Sequence, residues 1–288
     1  MITALERQQN GTITLTITVP WVSVAKTKES VITELAREIE LPGFRKGKVP
    51  RKIAEEKLDT TKVYEDVIQK ILPQAYAEAV KQHELHPIIV PKVEMVEAKE
   101  GSNWIIKAHT CEKPKLTLGD YRQAIKMVKA TKQNKIWTPA DAAKAPKAEE
   151  EAKAKQMTLG ELLDTLLTVV TCKIPDILIE AEVNRSLSDL IDQTKKLGLG
   201  VDQYLSSTGR TAESVRHEYA ENSRRTLTLE FAIEAIADTE SIFVSDDDIE
   251  TAIKTAKTED ERTALAKERY YLASILRRQK TLDFLAAV

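Results

Sequence analysis

The chain has 288 residues, with 43 Lys and Arg against 45 Asp and Glu, and a formal net charge of −2. That length supports two domains with real cores; the near-neutral balance excludes a general nucleic-acid coat but leaves room for a local basic patch. Aromatic residues make up 5%, and 9 Gly with 10 Pro are too few for a strand-and-turn sandwich or barrel, so the composition favours helices.

Residues 12–20, "TITLTITVP", alternate Thr with Ile, Leu and Val, which predicts a strand with one apolar face. From 21 to 39 the spacing becomes helical, with Val24, Ile32, Leu35 and Ile39 on one stripe. Pro42, Gly43, Gly47 and Pro50 then forbid a helix. "RKIAEEKL" reads as a short helix and residues 61–83 as a longer one that Pro73 kinks or splits. Two further strands, 88–98 and 103–110, flank the turn "AKEGSN". Three antiparallel strands with helices on one face make an α+β first domain over residues 1–112.

Residues 113–160 include "WTPADAAKAPKAEEEAKAK", rich in Ala, Lys, Glu and Pro, and read as a linker or a solvated helix. From 161 to 288 the pattern is all helix. Leu162, Leu163, Leu166, Leu167 and Val170 form one stripe; Pro175 starts the next helix; "KLGLG" stops it; 201–209 is a short helix and turn, and 211–237 a long helix. Ser245 with Asp248 marks an N-terminus, and a last helix runs over 260–285.

The segment "LPGFRKGKVP", residues 41–50, poses the functional question. Between Leu41 and Lys52 lie five cations, Arg45, Lys46, Lys48, Arg51 and Lys52, and no acid. Gly43 and Gly47 permit close backbone approach, the prolines stiffen the flanks, Arg45 can fork onto a phosphate or carboxylate, Lys46 adds a point charge, and Phe44 can stack or fill an apolar notch. The same residues fit an ordinary solvated turn with Phe44 folded back on its own domain.

Other constellations are weaker. His83 and His86 have helical spacing for a metal but no evident third ligand. No nucleophile, base and orienter assemble, and "GLG" at 198–200 reads as a helix stop rather than a phosphate cradle. Cys111 and Cys172 read as reduced thiols. With no apolar run of membrane length and no leader-like start, a cytoplasmic protein without membrane contact is expected.

"GFRKGKVP", residues 43–50, resembles the signature of the trigger factor family, the bacterial ribosome-associated chaperones. The strand, helix, loop, helix and hairpin around it are similar to that family's ribosome-binding domain. "IPDILIEAEVNR" (174–185), "DQYLSSTG" (202–209) and "VSDDDIE" (244–250) resemble its helical domain with arms. The resemblance implies docking at the exit tunnel, on ribosomal protein and RNA, through Phe44, Arg45 and Lys46, with Gly43 and Gly47 shaping the loop and Lys48 beside them. It implies unfolded or nascent polypeptides as further partners, admits a weak homodimer, and requires neither ATP nor any cofactor. The FKBP-like prolyl isomerase domain of that family has no counterpart here: residues 113–160 lack the strands and aromatics of a proline pocket. The expectation is therefore a chaperone without enzymatic activity. Two alternatives stand beside it, a prolyl isomerase and a ribosome-binding factor that does not shelter clients.

Overall fold

A computed structural model of the chain describes residues 2–38, 53, 57–133, 157–256 and 258–288. The chain divides into two compact units, Met1–Lys113 with Pro175–Leu178, and Pro114–Ile174 with Ile179–Val288.

The first unit is an antiparallel sheet in the order β1-β2-β4-β3, made of β1 (Ile2–Arg7), β2 (Ile13–Val19), β3 (Lys92–Glu97) and β4 (Trp104–Thr110). Helices α1 (Trp21–Glu38) and α2 (Thr60–Gln82) pack on one face. The alternation read in β2 has its cause here: Ile13, Leu15, Ile17 and Val19 are buried with Trp104, Ile106 and Ala108 of the paired β4. From the helices come Val24, Val31, Val67, Ile71 and Ala75. Each fully buried Ile or Leu contributes about 1.5–3 kcal/mol, so this apolar sandwich, rather than the sparse turn signals, holds the unit. Tyr64 lies 5.7 Å from Trp104, ring centre to ring centre, and Lys28 caps the Tyr64 ring at 5.0 Å while pairing with Glu100 at 2.6 Å.

Three expectations change. The sheet has four strands rather than three, because "ITALER" pairs along β2 with Leu5 opposite Leu15. Pro73 is exposed inside α2 and does not split it. The strand expected over 88–98 begins at Lys92; Pro87 and Pro91 bracket a stretch where Ile88 donates to Cys111 O at 3.0 Å.

In the second unit, α3 (Tyr121–Gln133), α4 (Leu159–Val169), α5 (Asp176–Lys196), α6 (Val201–Thr208), α7 (Ala212–Thr239), α8 (Asp246–Lys254), α9 (Glu259–Lys267) and α10 (Arg269–Ala287) follow in order, with a two-stranded ribbon of β5 (Leu116–Leu118) and β6 (Val170–Cys172). Tyr121, Ile125, Leu162, Leu166, Ile236 and Leu285 form its core. Part of the span read as linker is therefore folded: β5 and α3 lie within 113–160, and Tyr121 and Ile125 are buried. Gly119 is required where β5 ends, because a Cβ there would stand 2.5 Å from Val169 O. Capping boxes start α4 (Thr158, Glu161), α8 (Ser245, Asp248) and α9 (Thr258, Glu261). The single helix expected over 260–285 is two, broken at Glu268 with φ −108 and ψ 37.

Candidate functional site

Gly43, Phe44, Arg45, Lys46, Gly47 and Lys48 lie outside the described residues. Their frame is described. The chain enters the segment from α1 and is taken up again by α2, and these two helices share the core of the first unit through Val31, Leu35, Val67 and Ile71. Side chains tie them together as well: Lys70 pairs with Glu34, and Lys28 Nζ reaches Tyr64 Oη at 3.3 Å. Lys70 holds the Glu34 carboxyl below its ordinary range.

The second candidate surface is on the helices. The sequence pattern named no residues here, since a helical stripe does not say which of its members stay uncovered. On α10, Tyr270, Tyr271 and Ile275 are 95%, 64% and 46% exposed, and Phe243, just past α7, is 75% exposed. Between α7 and α10 runs a cleft of about 290 Å³ floored by Phe231, Ile233 and Ala237, with Glu230, Glu234, Arg277 and Arg278 around it. Arg277 pairs with Asp238 at 2.6 Å and donates to Ile242 O at 2.9 Å, while Arg278 pairs with Glu230 at 3.1 Å. Uncovered apolar side chains bordered by charge can hold apolar segments through many weak contacts while staying in solution.

The start of α3 is pinned to the end of α7. Tyr121 and Arg122 both donate to the Glu240 carboxylate. Arg122, with help from Tyr121, holds that carboxyl below its usual range. Burial first, and Glu240 second, raise the Tyr121 phenol. Lys132 and Thr158 pull Glu161 down to about 2, and Lys280 and Ser245 pull Asp248 down to about 2. These are fixing contacts.

The His83 and His109 rings meet threonines of the sheet. Thr3 donates to Gln82 Oε1 at 2.8 Å and meets His83 Nε2 at 3.0 Å, tying β1 to the end of α2. His86 N donates to Glu112 at 2.9 Å, and His109 Nδ1 meets Thr14 Oγ1 at 3.0 Å. Among the described residues no group of three or more His, Cys, Asp or Glu is arranged to hold a metal ion. Cys111 is buried and its thiol is pushed up to about 11 by desolvation. Among the described residues no helix is long and apolar enough to cross a membrane.

Comparison with known proteins covers both units. The family model described as bacterial trigger factor protein matches residues 1–147, and the model of the bacterial trigger factor C-terminus matches residues 140–287. A trigger factor from Staphylococcus epidermidis (strain ATCC 35984) is 34% identical over 122 residues, which is 42% of this chain and 28% of that protein. The trigger factor of Staphylococcus aureus (strain JH9) matches with the same identity and coverage. The matched segment thus spans 28% of the length of these curated relatives. A solved chain described under "Promiscuous Substrate Recognition in Folding and Assembly Activities of the Trigger Factor Chaperone" superposes with a TM-score of 0.65, over 100% of this chain and 99% of that one, at 14% identity. That likeness shows a shared fold.

Proposed function

Because this chain belongs to the bacterial trigger factor family, we propose that it is an ATP-independent chaperone of the cytoplasm that docks at the ribosomal exit tunnel and shelters nascent polypeptides. The first unit docks and the second holds clients. One observation carries the chaperone half of the reading: Phe243, Tyr270, Tyr271 and Ile275 stand uncovered on the unit that also holds a charge-rimmed apolar cleft. Such a surface delays aggregation by covering apolar segments until the client buries them itself.

The docking half rests on residues 43–48. Phe44 anchors, Arg45 and Lys46 pair with phosphates or carboxylates of the tunnel rim, Gly43 and Gly47 shape the loop, and Lys48 adds charge. Its support is the acid-free run of five cations from Arg45 to Lys52, strung between two packed helices. No covalent chemistry is involved. The two family models overlap over residues 140–147, which supports a reading without an isomerase domain between them.

The test is aggregation of a chemically unfolded client, followed by light scattering without nucleotide. The reading expects suppression that rises with chaperone concentration and saturates near stoichiometry. Unchanged aggregation would leave a ribosome-binding factor without chaperone activity.

A further inference from the structure

We draw no further inference here: the strongest candidate, the groove between α1 and α2 lined by Val31, Leu35, Asp66 and Gln69, is bridged by the exposed Lys70–Glu34 pair, whose charges already match each other, and nothing in the structure shows what covers it.

Discussion

Arg122 and Glu240, 118 residues apart, form a two-pronged ion pair, with Arg122 Nε 3.2 Å from Glu240 Oε1 and Nη2 on the second oxygen. Tyr121 shares the same carboxylate. The pair joins the start of α3 to the residue that caps α7.

Because Arg122 and Tyr121 depress the Glu240 pKa, the carboxylate form stabilises the fold. That contribution is complete above the ordinary carboxylate range and is lost as pH falls through the depressed folded value. Glu161 and Asp248, each held at about 2, behave alike over the window from about 4 down to about 2. Glu240→Gln should therefore lower Tm at pH 7 and converge on the wild type in acid. Thermal unfolding followed by circular dichroism at stepped pH checks this; a gap independent of pH would contradict it. Added salt should narrow the gap, since Arg122 is half exposed.

Pro73 gives a second prediction. It sits exposed in the middle of α2, where it removes the bond that position 73 would make to residue 69. Alanine restores that bond, and the more flexible unfolded chain offsets part of the gain. Pro73→Ala should raise stability by roughly 2 kcal/mol, seen as a higher urea midpoint at unchanged m. A lower midpoint would show that Pro73 fits α2 better than alanine does.

The residues that announced themselves were those whose burial follows one period. In β2 every second residue enters the core, and in α4 Leu162 and Leu166 fall one turn apart. Ser245 and Asp248 told the start of α8 because capping is local chemistry. What escaped was held by partners distant in sequence. "ITALER" has Leu5 as its inward apolar residue and becomes a strand through its pairing with β2. In α3, Tyr121 and Ile125 are the buried members of a Lys-rich helix whose surroundings come from α4, α7 and α10. The break at Glu268 carries neither Gly nor Pro, so nothing local marked it. Of the candidate sites, the basic segment was legible from composition. The uncovered α10 aromatics were not, because exposure depends on what packs elsewhere.

The proposed lack of isomerase activity gives a third prediction. Prolyl isomerisation takes tens to hundreds of seconds uncatalysed. The chain at substoichiometric concentration should leave the slow phase of a proline-limited refolding reaction unchanged. Stoichiometric amounts should slow refolding by holding the unfolded client. A slow phase that quickens in proportion to catalytic amounts of the chain would restore the enzyme reading.

Ribosome co-sedimentation tests the central claim most directly, with the wild type and the Phe44→Ala, Arg45→Ala, Lys46→Ala triple variant run side by side at rising salt. Wild-type chain should pellet with ribosomes and leave them as salt increases, with a log–log slope of roughly 0.7–0.9 per phosphate contacted. The triple variant should remain in the supernatant with an unchanged circular dichroism spectrum. A variant that pellets like the wild type, at every salt concentration, would contradict docking through this segment.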